Sequence, residues 1–590
     1  MALQKHLLND PETLVVDSLT GLCAVNDQLA FDPPNKVVYR SKLDRSKVAL
    51  ICGGGSGHEP SHAGFVGEGM LSAAVCGNVF ASPNSSQVRR GIDLVENDAG
   101  TLILVKNYTG DILNFGLAAE QYAAEHAEKS NKVKFIVVGD DVAVGRTQGG
   151  IVGRRGLAGV VLVYKIAGAL AAQGASLDEV YSIAQWVAGR IGTIGVGLEH
   201  CHVPGTAAPS SSLSATEIEI GLGIHNEPGN TRLSSIPPLS ELIPRLLDYI
   251  TSTTDAERGF LPFRNDGKDE VVLLVNNLGG LSELEVGGVV RAARDELANR
   301  QIGVSRVIAG TFMTSLNMPG FSISLVLLPS ASDESAGAPT ASTLLSLLDA
   351  RAQTPGWKWT AAGPPVTPTP LAPAASASSA ATKGKASGIS APQPAAFLDA
   401  IKRACAAVVA AESEITRMDT IAGDGDCGLT LKAGAQGVEK AIAEGGITGT
   451  DLVADVLAIA KVAETAMGGT SGALYSIFFS ALAQGLQSSS RTTAGAELWG
   501  PALSAALTKL YTYTRARPPS RTLVDPLAAF VDAYAAGWAS AVGAAAAAAE
   551  HTRDIDAKAG RSAYVDSAVL LKEQVPDPGA WGVKVILEAL

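Results

Sequence analysis

Residues Val48–His62 read VALICGGGSGHEPSH, and the class of fold turns on them. Five apolar residues, Val48–Cys52, make a short strand for a buried sheet. The chain then passes at once into glycine, with Gly53, Gly54, Gly55 and Gly57 around Ser56. Open α/β sheets bind small molecules at glycine-rich turns beyond the carboxyl ends of strands, because bare backbone lets a ligand approach. The stretch is not a Walker loop, since no Gly-Lys-Ser/Thr follows, nor is it Gly-x-Gly-x-x-Gly. His58 and His62 are therefore candidate polar groups at a small-molecule pocket. Two histidines satisfied inside a loop are the alternative.

Outward from this stretch the pattern repeats. Apolar runs at Leu102–Val105, Phe135–Val138, Val271–Val275, Val307–Phe312 and Ile323–Leu328 are interleaved with helical spacing at Phe115–Ala127 and Leu281–Asn299. Strands alternating with helices predict an α/β region with largely parallel, covered sheets. Its length suggests two subdomains, residues 1–195 and 196–350, joined near 190–210 where HCHVPGTAAPSSS (His200–Ser212) is turn-rich. Residues 351–395 read as a linker. Within it, 363–394 is a run of Ala, Pro, Ser and Thr with almost no large apolar side chain, which cannot bury enough surface to order itself. Residues 396–590 read as all-α, with helical spacing in Phe397–Ala411, Asp451–Met467, Leu498–Tyr511, Leu523–Ala549 and Ala559–Lys572.

Between the first two of these helices sits Asp419–Thr430, DTIAGDGDCGLT. Asp419, Asp424 and Asp426 lie on a glycine-rich backbone, which suits a hard cation such as Mg²⁺ and the phosphates it accompanies. An Asp/Gly surface turn reads equally well, while an EF-hand does not, since its Gly at the sixth position and Glu at the twelfth are absent. Gly468–Tyr475, GGTSGALY, sets glycines and two hydroxyls at a predicted helix N-terminus, a seat for an anion or a plain N-cap. Arg561 in KAGRSAY could neutralise a phosphate, and Asp577–Ala580, DPGA, could wall a base. A solvated arginine and an ordinary turn are the plainer readings. In the α/β part, Lys106 and Asp111 of KNYTGDILNF follow a strand, and His225 sits on the glycine turn of EIEIGLGIHNEPG (Glu217–Gly229). An imidazole there can act as base or nucleophile if it faces the first loops.

The bulk numbers exclude several classes. A chain of 590 residues holds three or four folding units. A net charge of −12 argues against nucleic acid as a partner. Six scattered cysteines with no C-x-x-C pair make neither a disulfide framework nor a zinc site, and fit a reducing compartment. No secretory leader or targeting tail is evident, and the longest apolar run, Leu157–Ala172, is broken by Lys165 and too short for a bilayer. A cytoplasmic protein without membrane partners is expected.

Five stretches in this order, GGGSGHEPSHAGFVGEGM, KNYTGD, GLGIHNEPG, GDGDCG and GGTSGALY, resemble the dihydroxyacetone kinases, and the resemblance spans the chain apart from the linker. It implies that the α/β part binds a triose and that His225 adds to the substrate carbonyl as a hemiaminal. This selects ketotrioses and aldotrioses over glycerol. It implies further that Gly55, Ser56, Gly57 and His58 contact the substrate, that Lys106 and Asp111 hold its hydroxyls, and that Asp111 is the general base. The helical part is then an antiparallel helix barrel that binds nucleotide. Asp419, Asp424 and Asp426 match the family's Mg²⁺ ligands, with two ions implied, and Cys427, Gly428, Leu429, Thr430, Thr470, Ser471, Arg561, Asp577, Pro578 and Gly579 match its ATP contacts. Both halves in one chain resemble the ATP-dependent members, and the resemblance implies a homodimer. Two departures stand out: Cys427 replaces a frequent His, and in Arg517–Asp525 Pro519 and Ser520 replace a Gly-Asp pair, so no site residue is expected from that segment. Two other activities are compatible with such relatives. One is a lyase forming cyclic FMN from FAD at the nucleotide site; the other is a regulatory binding protein.

Overall fold

The buried strand predicted at Val48–Cys52 is longer than its apolar run. In a computed structural model that describes residues 5–126, 131–207, 213–358, 363–366, 388–488 and 494–590, it continues through the glycines as Ala49–Ser56. The chain divides into two units, Met1–Pro368 and Thr369–Leu590.

The first unit holds two six-stranded sheets. One is built from β1 (Leu29–Asp32), β2 (Val37–Arg40), β3 (Ala49–Ser56), β4 (Ala73–Val79), β5 (Thr101–Lys106) and β6 (Val133–Val138), in the order β1-β2-β4-β3-β5-β6. β3 and β5 are buried along their whole length because helices cover both faces. Alternate residues face opposite ways. Ile51, Val75 and Ile103 pack with Val88 and Phe115 of helices Ser85–Leu94 and Thr109–Glu125. Leu50, Cys52 and Leu102 pack with the helix Val160–Ala172. Lys165 on that helix is buried and donates to the Leu347 carbonyl at 2.8 Å.

The second sheet comprises β7 (Ile191–Gly197), β8 (Ile218–Ile220), β9 (Thr231–Leu233), β10 (Glu270–Asn277), β11 (Gly303–Gly310) and β12 (Gly320–Leu327), in the order β11-β10-β12-β7-β8-β9. Helices Leu239–Thr251 and Glu283–Asn299 pack against it. The expectation of largely parallel sheets fails here. Among the described strands β3–β4, β3–β5, β5–β6 and β10–β11 are parallel, and the other pairings are antiparallel. Apolar runs report burial on two faces, not the direction of the neighbour. β12 is buried throughout yet antiparallel to both partners.

The second unit is helical. Helices Pro394–Ala422, Cys427–Ala443, Leu452–Val462, Gly469–Gln487, Ala496–Leu510, Val524–Ala533 and Trp538–His551 pack successively, and Pro578–Ala589 closes the ring against the first. Two apolar cavities of about 250 and 340 Å³ lie inside, bordered by Phe397, Tyr475, Phe479 and Trp499. Three expected boundaries change. Asp419 lies within the last turn of Pro394–Ala422 rather than between helices. Leu523–Ala549 breaks at Gly537, whose φ of 102° an alanine helix cannot continue through. Ala559–Lys572 is a 3₁₀ turn, Arg561–Tyr564, and a short helix, Ser567–Glu573, capped by Asp566. Residues 359–362 and 367–387 of the predicted linker, and 208–212 of the predicted join, lie outside the described residues. No helix among the described residues is long and apolar enough to cross a membrane.

Candidate active site

In the α/β unit the residues that sequence singled out converge at the end of β3 and β5. Gly54 has a φ of +146°, and a Cβ there would stand 3.0 Å from Asp111 Oδ2, so only glycine lets the strand run beside this carboxylate. Asp111 is buried at the start of its helix and accepts a short hydrogen bond from the Ser82 hydroxyl. Burial pushes its carboxyl up, opposed by Lys106, Ser82 and His225. Lys106 is buried at the end of β5. Burial pulls it down, Asp111 opposes this, and its ammonium lies 5.3 Å from the Tyr108 ring. Ser56 spends its hydroxyl on the Gly77 carbonyl at 2.8 Å, and Gly55 packs on the Phe80–Ala81 backbone. The Gly57 carbonyl accepts from Leu316 N at 2.7 Å.

His58 and His225 meet with their Nε2 atoms 3.0 Å apart. The protonation pattern follows from their other partners. His58 Nδ1 lies 2.8 Å from the Thr314 carbonyl, which can only accept, so Nδ1 carries a proton. Burial, then Lys106 and His225, hold His58 well below the usual histidine range, so the ring is neutral and its Nε2 is a lone pair. His225 Nδ1 donates to Glu227 Oε1 at 2.9 Å, and its backbone N–H donates to Oε2, also at 2.9 Å. The contact between the two Nε2 atoms therefore needs one proton bridging the two rings. Burial works to raise Glu227, but the hydrogen bonds and charge of His225 hold it at about 2, an ionised partner. Phe80, Tyr108 and His58 stand edge-on around the His225 ring at 4.8–5.0 Å.

His62 is not part of this pocket. It is buried against Cys52 Sγ at 3.3 Å and the Tyr164 ring, because the chain turns inward after Pro60. Glu227, Phe80 and Tyr108 were missed from the sequence. Glu227 left a signal, two residues after His225 in the same turn, but a single acid beside a proline reads as surface.

In the helical unit a polar cavity of about 600 Å³ is lined by Asp419, Asp424, Asp426, Cys427, Thr430, Thr470, Ser471, Arg561, Asp577, Pro578 and Gly579. Ligand oxygens of the three aspartates lie within 4.8 Å of one another. Asp419 Oδ2 accepts from the backbone N–H of Asp426 and Cys427 at 2.8 and 2.9 Å, which curls the loop over its carboxylate. An all-oxygen cluster fits a hard cation. The Cys427 thiol does not compete as a ligand: burial, then Asp419 and its neighbours, push it up and keep it protonated. Gly468, the N-cap of Gly469–Gln487, has no side chain with which to cap the helix, which leaves its first N–H groups for an anion. Arg561 pairs with Asp424 at 2.9 Å. Asp577 caps Pro578–Ala589 through Ala580 N, and burial raises it to about 6.

Two expected nucleotide residues do not line the cavity. Gly428 packs on the backbone of Glu412 and Thr416, and the Leu429 side chain faces solvent, because the helix turns both away. Conversely, Thr522, Leu523 and Val524 line it, from the segment that was expected to contribute nothing. There Asp525 accepts from the N–H groups of Ser520 and Thr522 at 2.8 Å, a substitute turn for the missing Gly-Asp.

One unit thus carries a doubly partnered histidine, and the other a polar cavity with three clustered aspartates. Residues 20–356 match the model of the Dak1 domain and 421–590 that of the DAK2 domain. The chain is 42% identical to a dihydroxyacetone kinase of Pichia angusta, over 98% of this chain and 97% of that protein. It is 39% identical to the triokinase/FMN cyclase of Homo sapiens, over 99% and 98%. Among solved structures, the dihydroxyacetone kinase from C. freundii in complex with AMP-PNP and Mg²⁺ is similar at TM-score 0.62 and 29% identity, over 100% of this chain and 99% of that one. The chain belongs to the dihydroxyacetone kinase family.

Proposed function

We propose that the chain phosphorylates dihydroxyacetone, and glyceraldehyde, with ATP as donor. The observation that carries this reading is the doubly partnered His225, with Nδ1 on an ionised Glu227 and Nε2 on a buried, neutral His58. A triose entering between the two rings separates them. His225 Nε2 then adds to the carbonyl carbon as the C=O π bond breaks, and the carbonyl oxygen takes the proton that bridged the two rings. The product is a carbinol with a positively charged, N-alkylated imidazole, whose charge Glu227 balances. Glycerol has no carbonyl and is excluded without any steric filter. Lys106 and Asp111 hold the hydroxyls. Asp111, raised by burial, takes the proton of the hydroxyl that attacks phosphorus.

In the helical unit Asp419, Asp424 and Asp426 would hold Mg²⁺, and we assign them two ions. Bound there, Mg²⁺ neutralises charge on the phosphates. Arg561, released from Asp424, and the bare N-terminus at Gly468–Ser471 bind phosphate oxygens, while the Asp577–Gly579 cap and Leu523 border the base. Phosphoryl transfer asks little more of the protein than in-line positioning. A cytoplasmic homodimer completes this reading, and sedimentation measures the oligomeric state.

Coupled assay of triose phosphate from Mg-ATP with dihydroxyacetone, glyceraldehyde and glycerol tests the proposal. Turnover of the trioses and not of glycerol is expected; no turnover with either triose refutes it. The relative named triokinase/FMN cyclase favours a second activity at the helical cavity, splitting FAD to cyclic FMN. That activity would need Asp419, Asp424 and Asp426 but not His225.

A further inference from the structure

The segment between β6 and the helix Val160–Ala172 carries paired acids, Asp140 and Asp141, and paired arginines, Arg154 and Arg155. None of them was expected at the site. Asp140 holds the approach to the next helix: its carboxylate accepts from Leu157 N at 2.6 Å and Gly159 N at 2.9 Å. Asp141 does something else. It is fully buried, and its Oδ2 accepts from both Nε and Nη2 of Arg155 at 2.7 Å. Its own N–H donates to the Arg155 carbonyl at 3.0 Å, and its Oδ1 accepts from Ala143 N at 2.9 Å. The arginine is thus aimed by a buried carboxylate that the loop backbone also holds.

What Arg155 is aimed at is the turn that carries His225. Nη2 donates to the Gly221 carbonyl at 2.7 Å, at the start of that turn. A Cβ on Gly223 would lie 2.6 Å from Arg155 Nη1 and 2.0 Å from Glu227 Oε2, so guanidinium and carboxylate crowd the same face of this glycine. The other anchors of the turn are neutral: Ser315 Oγ donates to the Ile224 carbonyl at 2.6 Å, and Asn226 donates to the Cys201 carbonyl at 2.9 Å. Arg155 alone among these anchors ties the turn down and also places a positive charge beside the partner of His225.

We propose that Arg155, held by Asp141, is a positioning residue for the His225–Glu227 pair: it fixes the Gly221–Glu227 turn and keeps Glu227 aligned on His225 Nδ1. The proposal rests on the reading of His225 as the group that adds to the triose carbonyl. Misplacing a reacting group by about 1 Å costs on the order of a hundredfold, so a turn released at one end is enough to suppress the addition.

The test uses the full chain without nucleotide and dihydroxyacetone labelled with ¹³C at the carbonyl. In the unsubstituted protein the bound carbon moves from the ketone to the tetrahedral range. If it does not, the covalent reading fails and the proposal falls with it. Given that signal, Arg155→Met is expected to reduce it at saturating triose by about tenfold or more. The same change raises the KM for triose and leaves the KM for Mg-ATP unchanged, and Arg155→Lys restores part of the signal. If Arg155→Met does not fold, Asp141→Asn serves instead, since its amide oxygen keeps the bond from Ala143 N while Arg155 loses its carboxylate and Glu227 is left untouched. A tetrahedral signal and triose KM equal to wild type in whichever of these variants folds overturn the proposal.

Discussion

Replacing Glu227 by glutamine removes the charge of the His225 partner and keeps one of its two acceptors. The amide keeps the size of the side chain and an oxygen that can accept from Nδ1 at the 2.9 Å now seen. It loses the negative charge that balances the alkylated, cationic imidazole. A hydrogen bond to a charged group contributes about 1.5–3 kcal/mol against about 0.5–1.5 for a neutral one. The difference, about 1–1.5 kcal/mol, corresponds to roughly tenfold. Glu227→Gln should therefore lower kcat/KM for dihydroxyacetone roughly tenfold, with KM for Mg-ATP unchanged. Glu227→Ala strips both acceptors and should cost more. Steady-state kinetics with each substrate varied in turn give the numbers. A Glu227→Gln variant with wild-type kcat/KM for triose would refute the role assigned to this carboxylate.

Asp419→Asn removes a buried charge whose oxygen also curls the loop, and should lower kcat by roughly a hundredfold or more while shifting the Mg²⁺ requirement upward, measured by Mg²⁺ titration of the rate. Arg561→Ala breaks an exposed pair with Asp424, so the unfolding free energy should change by less than about 1 kcal/mol while KM for Mg-ATP rises; unchanged ATP kinetics would contradict its phosphate role. Asp577 is raised by burial from 3.8 to about 6. An acid raised in the fold binds its proton more tightly there than in the unfolded chain, so its contribution is fully present below pH 3.8 and is lost as pH rises through about 6. Asp577→Asn, which keeps the cap, should therefore gain on wild type by up to about 3 kcal/mol between about pH 4 and 7 in urea unfolding without nucleotide.

The α/β and helical halves could be read from periodicity because both patterns report which side chains are buried. Strand direction could not, and β7 and β4 left weak signals because Ile191–Gly197 and Ala73–Val79 are diluted by glycine and alanine. In the helical unit alanine satisfies every helical spacing, so Leu523–Ala549 read as one helix and only Gly537 marks its break. The residues that the motifs singled out, His58, Lys106, Asp111, His225 and the three aspartates, lie together at the two candidate sites. Residues that act by orienting another side chain were not singled out. Glu227, Tyr108 and the Asp141–Arg155 pair depend on where β3, β5, β6 and the turn after β8 meet, and that meeting is tertiary. The same holds for Thr522–Val524, where Asp525 rebuilds a turn that the motif would have supplied with Gly-Asp.

The most direct test is the rate of triose phosphorylation by a His225→Ala variant beside the unsubstituted chain. Mg-ATP and dihydroxyacetone are held at saturation, and integrity is checked by unchanged nucleotide binding. If the triose is held through His225, the variant loses phosphorylation while still binding nucleotide. A variant that phosphorylates dihydroxyacetone at the unsubstituted rate contradicts covalent capture of the substrate.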